Sequence, residues 1–279
     1  MQKSPGTTRA FLYKMPSMKP VFTFQRGATP LLISIPHAGT GLPEGLAEKF
    51  TGQALGLPDT DWFVDRLYDW VPEKGAGLLV ANYSRYVIDL NRPPDDAALY
   101  AGPGTGLVPG QLFDGRQIYK EGSAPGAAEM DRRMAHFWRP YHEKIAAELE
   151  HIKTRFGYAV LLDAHSIRSE VPRLFDGRLP DLNLGSHAGK SADPGLIARS
   201  YDTLRGNAHF SSVLDGRFKG GYITRNYGRP AEKQHALQLE MAQSCYMLED
   251  PPGYDPRKAE RLQTVLRSLV DTLLDWRPA

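Results

Sequence analysis

Cysteine is nearly missing from this chain. Cys245 is the single one in 279 residues, so an intramolecular disulfide is excluded and with it the stapled framework of small secreted domains. Long apolar runs are missing as well. No stretch approaches the roughly 20 residues that a membrane-crossing helix requires, so a membrane partner is not expected. Charge of one sign is also lacking. Lys plus Arg number 34 against 32 for Asp plus Glu, a formal net charge of +2, and no basic block is present to engage a polyphosphate. Nucleic acid is therefore not an expected partner. Neither type of Gly-rich nucleotide loop occurs, and no period repeats along the chain. No N-terminal stretch combines a basic start, an apolar run and a small-residue cleavage site, so the expected location is cytoplasmic. What is plentiful is core material: 41% hydrophobic residues, with 10% aromatic, suffice for a sizeable packed interior.

Residues 1–20 are rich in Ser, Pro, Thr and Lys without periodicity and read as a loosely held arm. Residues 21–279 then read as a single α/β domain, because short apolar runs alternate with helical stretches and no break in composition follows. Strands are predicted at 31–35, 77–82, 159–163, 220–224 and 234–241. Helices are predicted at 60–70, 127–152, 194–205 and 256–276, the longer ones from apolar residues at helical spacing, such as Met130, Met134, Phe137, Trp138, Tyr141, Ile145 and Leu149. Residues 101–126 and 172–194 hold many Gly and Pro and read as long loops, the first of them a candidate lid.

Two apolar runs end in the same unusual way. Leu31–Ile35 leads to His37, and Ala159–Leu162 leads to Asp163, His165 and Ser166. In open α/β sheets ligands bind beyond the carboxyl ends of strands, so both imidazoles stand where chemistry is usually placed. Two histidines and a carboxylate suffice for a catalytic zinc site, which keeps a further position for water. The acid is sought in "LPDTDWFVDRLYDW". Asp61, in the first turn of the predicted helix, is the expected ligand, and Asp59 is the alternative, although either Asp59 or Thr60 can cap that helix. In "YSRYVIDLNRPPDD" Arg85 and Arg92 flank Asp89 and Asn91, and a planar guanidinium suits a carboxylate ligand. In "EKQHALQLEMAQ" strand alternation puts Glu240 in apolar surroundings, where desolvation raises a carboxyl pKa towards the range of a general base.

Taken in order, "SIPHAG", "DTDW", "SRYVIDLNR", "LLDAHS", "GGYITRNYG" and "HALQLEM" resemble the N-formylglutamate amidohydrolase family, from about Val21 to about Arg267. The resemblance implies an α/β three-layer sandwich with a central mixed sheet, zinc-carboxypeptidase-like (phosphorylase/hydrolase-like). It implies hydrolysis of N-formyl-L-glutamate to formate and L-glutamate, a last step of bacterial histidine breakdown, by a Zn2+-dependent or other divalent-metal enzyme. The implied metal ligands are His37, Asp61 and His165, with Glu240 in the place of the catalytic glutamate of the carboxypeptidases. The substrate, a small N-formyl dicarboxylate, needs cationic contacts. Arg85, Asn91, Arg92, Arg168 and Arg225 are the expected substrate-binding residues. Two departures stand out: position 40 is Thr where carboxypeptidases carry the Glu of His-x-x-Glu, and Asn226 stands where His is expected in many deformylases. A related amidohydrolase acting on another N-acyl amino acid is the alternative reading, and a non-catalytic small-molecule binding protein is a more distant one.

Overall fold

The computed structural model describes residues 19–99 and 105–278, so most of the expected arm and residues 101–104 of the expected lid lie outside the described residues. Among the described residues, seven strands form the central sheet: β1 Phe22–Gln25, β2 Leu31–Ile35, β3 Gly77–Ala81, β4 Ala159–Ile167, β5 Leu182–Gly185, β6 Ser212–Leu214 and β7 Gln234–Ala242. Their order is β1-β3-β2-β4-β7-β5-β6. The core of the sheet, β3-β2-β4-β7, is parallel, while β1 pairs with β3 and β5 with β7 in antiparallel fashion, so the sheet is mixed. Helices are α1 Val64–Leu67, α2 Ala127–Arg133, α3 Arg139–Phe156, α4 Pro194–Arg205, α5 Tyr222–Tyr227 and α6 Pro256–Asp275. A small hairpin of β8 Met247–Glu249 and β9 Pro252–Tyr254 precedes α6.

The central strands are buried on both faces, as parallel strands covered by helices must be. Alternation along them sorts the core into two layers. Leu31, Ile33 and Ile35 of β2, Val160, Leu162 and Ala164 of β4, and Leu237, Leu239 and Met241 of β7 pack against α1, α4 and α6. Leu32, Leu161 and Ala236 point the other way, towards α3 and α5. Helix ends follow their local chemistry: Asp193 and Asp255 accept the first backbone N–H groups of α4 and α6, each with Pro at the first turn.

Several elements differ from the sequence reading. The predicted helix at 60–70 shrinks to the single turn of α1, followed by a 3-10 turn at Val71–Lys74. Phe63 adopts φ 61° in the left-handed region, which a right-handed helix cannot pass through, and the buried Asp59, Thr60 and Asp61 are held by tertiary bonds instead. The predicted strand at 220–224 is helix α5. The β-branched and aromatic run Tyr222-Ile223-Thr224 has strand propensity, but the carboxamide and carbonyl oxygens of Asn91 accept the N–H groups of Ile223 and Tyr222 and start a helix. The loop expected at 172–194 contains β5, and β1 and β6 were absent from the predicted strands; all three are only three or four residues long. The helix predicted at 127–152 runs on to Phe156 but widens into a π turn at Met134–Trp138, just before Pro140. Strand β4 continues to Ile167, so His165 and Ser166 lie within it.

Candidate metal and catalytic site

The odd residues of β4 and the even residues of β7 share one face, and their register sets the site. His165 lies opposite Glu240, and Asp163 opposite Gln238. All four are buried. His37 follows β2, the other neighbour of β4, and its carbonyl accepts the N–H of Asp61, which brings the 59–61 turn beneath the two imidazoles.

His37, Asp61 and His165 converge: each offers one ligand atom, and these atoms lie within 4.8 Å of one another. The imidazole centroids are 4.9 Å apart. Asp61 Oδ2 is 3.1 Å from His165 Nδ1 and 3.9 Å from His37 Nδ1. The far nitrogens have separate partners. His37 Nε2 meets Asp89 Oδ1 at 2.7 Å, and His165 Nε2 meets Asp163 Oδ2 at 2.8 Å. Carboxylates behind ligating histidines fix the ring orientation and raise ligand basicity, which is the arrangement usual around protein-bound zinc.

Three observations show that these residues fit a cation. His37 Nδ1 is buried without a hydrogen-bond partner, although an unpaired buried polar atom is costly. Five buried carboxyl groups, Asp59, Asp61, Asp89, Asp163 and Glu240, belong to this cluster, where Arg85 pairs with Asp61 and Asp89, and Arg92 reaches Asp89 only at 4.0 Å. Nitrogen and oxygen donors together suit zinc and its neighbours among divalent ions. Among the described residues this is the one group of His, Cys, Asp and Glu that meets such spacing.

The electrostatics agree with that reading. Burial works to lower the pKa of His165, but Asp163 and Asp61 outweigh it and hold the value well above the ordinary one. A cation held at Nδ1 would require that nitrogen to be deprotonated, as a ligating imidazole nitrogen must be. His37 goes the opposite way, lowered by burial and by Arg85. Burial opposes ionisation of Asp61, yet His165, His37 and Arg85 overcome it, and Asp89 is held well below the carboxylate range by His37 and Arg85 in the same way. Glu240 is pushed up to about 8, by burial first and then by the neighbouring Asp61 and Asp163, against the pull of His165 and Arg85. Gln238 Nε2 donates to its Oε2 at 3.2 Å.

Asp59 and Asp61 have different surroundings. Asp59 Oδ2 accepts from the Tyr86 hydroxyl at 2.8 Å and from Phe113 N at 3.0 Å, so it ties the 105–119 segment to the site and is not one of the converging ligand residues. Asn91 is central: its Nδ2 lies 3.1 Å from Asp163 Oδ2 and 2.8 Å from His165 Nε2, while its Oδ1 receives Ile223 N. A side chain at Gly221 would overlap that carboxamide, which is why glycine stands there.

The cluster forms the floor of a cavity of about 320 Å³. Arg85, Asn91 and Arg92 line it, as do Thr105, Gly106 and Phe113 from the segment expected to act as a lid. Arg85 Nη2 grips Asp89 Oδ2 at 2.7 Å, and Arg92 Nη2 donates to Thr105 Oγ1 at 3.2 Å. Arg168 and Arg225 are not among the lining residues. Arg225 instead donates to the carbonyls of Gly220 and Leu99. Sequence reasoning passed over Asp163 as a histidine partner, although it stands two residues before His165, and Gln238, two before Glu240. It also passed over Arg217 and Phe218 in the cavity wall, for which no local pattern gives a signal.

A parallel-centred α/β sheet with histidines and acids converging at strand ends defines a hydrolase-type scaffold with a candidate metal site. Residues 29–247 match the model of the N-formylglutamate amidohydrolase family, and the chain belongs to that family. An N-formylglutamate deformylase of Pseudomonas aeruginosa is 54% identical over 260 residues, 93% of this chain and 98% of that one. One from Pseudomonas putida is 50% identical over 260 residues, 93% and 97% of the two chains. The crystal structure of an N-formylglutamate amidohydrolase from Ralstonia eutropha superposes with a TM-score of 0.79 at 26% identity, covering 91% of this chain and 98% of that one. The three-layer α/β architecture is thus that of the family.

Proposed function

We propose that this protein hydrolyses N-formyl-L-glutamate to formate and L-glutamate, using a divalent cation held by His37, Asp61 and His165. The observation that carries the reading is the convergence of those three side chains opposite the buried Glu240, in a chain that is 54% identical to a deformylase. A cation so held supplies a Lewis acid and brings the pKa of water from about 15.7 towards about 7. Glu240, lying across from His165 in the sheet register, takes a proton from the attacking water at its carboxylate. Water adds its oxygen to the formyl carbon, the C–N bond breaks, and Glu240 returns the proton to the departing amine nitrogen, giving formate and the free amino acid. A carboxyl group pushed up by burial and by neighbouring acids is a strong enough base for this once a positive charge beside it restores its ionised form.

Asp89 and Asp163 hold the rings of His37 and His165 from behind, and Asn91 braces the second of these pairs. Arg85 neutralises Asp61 and Asp89 and so serves the floor of the site, while Arg92, which lines the cavity and donates to Thr105, is assigned to the substrate carboxylate next to the scissile amide. The reading extends to a zinc enzyme of cytoplasmic histidine breakdown folded as one domain over residues 21–279. Among the described residues no helix is long and apolar enough to cross a membrane.

Formate release from N-formyl-L-glutamate, measured on chelator-treated protein before and after return of zinc, tests bond, substrate and metal together. Activity should vanish on chelation and return with the ion, with one equivalent bound. Full activity in metal-free protein rejects the cation, and turnover of N-acetyl-L-glutamate in preference to the formyl compound rejects the acyl group.

A further inference from the structure

Among the described residues, three arginines line the cavity: Arg85, Arg92 and Arg217. They are not equivalent. Arg85 lies within the acidic floor, with Nη2 on Asp89 at 2.7 Å and Nη1 near Asp61 Oδ1 at 3.4 Å. Arg92 shares that same Asp89 at 4.0 Å and so belongs to the metal end of the cavity. Arg217 belongs to neither group. It follows β6, which lies beyond β5 from β7, and the loop that carries it returns to Gly221 beside Gln238. Its Nε donates to the carbonyl of Leu174 at 2.7 Å, and its guanidinium lies over the Phe218 ring, 5.5 Å from the centroid.

Arg217 borders an apolar cluster through Leu174 and Phe218. Leu174 and Phe218 pack with the buried Phe113 and Ile167 in a small separate hydrophobic cluster, and all four also line the cavity. One part of the cavity is therefore charged and polar, and another is a hydrocarbon wall bearing one cation. A glutamyl side chain has the complementary layout: two methylene groups ending in a carboxylate. Methylenes gain by leaving water against apolar walls, and a guanidinium aligned by a carbonyl bond and a ring is preorganised to grip a carboxylate with two N–H groups.

Resting on the deformylase reading above, we propose that Arg217 is the specificity residue that reads the side-chain carboxylate of the substrate, with Leu174 and Phe218 enclosing its methylenes. Arg92 is then left for the carboxylate beside the amide. Arg217 enters no proton transfer; it selects.

The test measures kcat and KM for N-formyl-L-glutamate and for its neutral isostere N-formyl-L-glutamine on native, R217Q and R217K proteins, all zinc-loaded. R217Q should lose about 100-fold or more in kcat/KM on the glutamate compound, mainly through KM, as expected for a desolvated charge pair broken on one side. Its turnover of the glutamine compound should stay within about threefold of native, which also shows that the variant folds. R217K, keeping the charge without the fork, should fall between native and R217Q on the glutamate compound. Equal losses on both substrates in the two variants, or native protein that takes both substrates equally well, overturn the assignment. Native protein that turns over the glutamine compound but not N-formyl-L-glutamate sinks the deformylase reading instead, and is thereby told apart from a failure of Arg217 alone.

Discussion

The two faces of strand β4 have opposite duties. Val160, Leu162 and Ala164 face α1, α4 and α6 in a continuous apolar layer, whereas Leu161 on the other face gives way to Asp163 and His165. The same division runs through β7, where Leu237, Leu239 and Met241 oppose Gln238 and Glu240. One face supplies cohesion along the whole strand, and the other is apolar only up to the point where the site begins. Most buried polar groups there are paired; among the described residues His37 Nδ1, Arg85 Nε and Asp163 Oδ1 have no hydrogen-bond partner, and the first of these is one of the atoms that could hold a cation.

The contrast predicts separable losses. Glu240→Gln should lower kcat by about 10² to 10⁴-fold while metal content stays at one equivalent and thermal stability does not fall, because a buried carboxyl beside other acids is replaced by a neutral amide. A drop in stability, or retention of activity, would break the division of labour at its polar side. On the opposite face, Leu162→Ala should cost about 2 to 5 kcal/mol in urea unfolding, with kcat per folded molecule and bound metal unchanged. Lost metal in that variant would show the two faces to be coupled.

A smaller effect concerns the helix layer over the polar face. His142 of α3 is stacked on Trp138 and Tyr227, its Nε2 lies 2.9 Å from the carbonyl of Leu90 and its Nδ1 3.0 Å from the Tyr227 hydroxyl, which itself donates to the His142 carbonyl, and burial lowers its pKa from 6.5 to about 4. Above pH 6.5 the ring is neutral in both the folded and unfolded chain. As pH falls from 6.5 to about 4 only the unfolded chain takes up the proton, so this group's stabilisation is lost across that window and changes no further below it. The shift corresponds to at most about 3 kcal/mol. In His142→Gln that part of the slope should vanish, so that urea midpoints of native and variant protein draw together or cross between pH 7 and pH 4.5. Parallel curves over that range reject a buried neutral imidazole.

How far the site could be read in advance depended on whether its residues announce themselves locally. Apolar runs that lead into His37 and His165 are visible because polar side chains break a buried run, and Glu240 stands out through strand alternation. Between Asp59 and Asp61 local chemistry gives no decision, since both sit where a helix would start. The fold separates them: Asp61 meets the imidazoles, while Asp59 is occupied by Tyr86 and Phe113. The 220–224 segment misled for a related reason. Its residues favour a strand by propensity of well under 1 kcal/mol each, and the carboxamide of a residue 132 positions away in the chain sets it as a helix.

Composition and patterning along the chain were enough for the class of fold, the main strands and helices and a set of candidate side chains, because burial of periodic apolar residues is a short-range constraint. Which carboxylate stands behind which histidine, which arginine is spent on neutralising the floor, and which arginine reaches the apolar wall were settled only when β2, β4 and β7 were laid side by side. Those are pairings across dozens of residues, made by charges that gain strength only once the packed sheet has removed them from water.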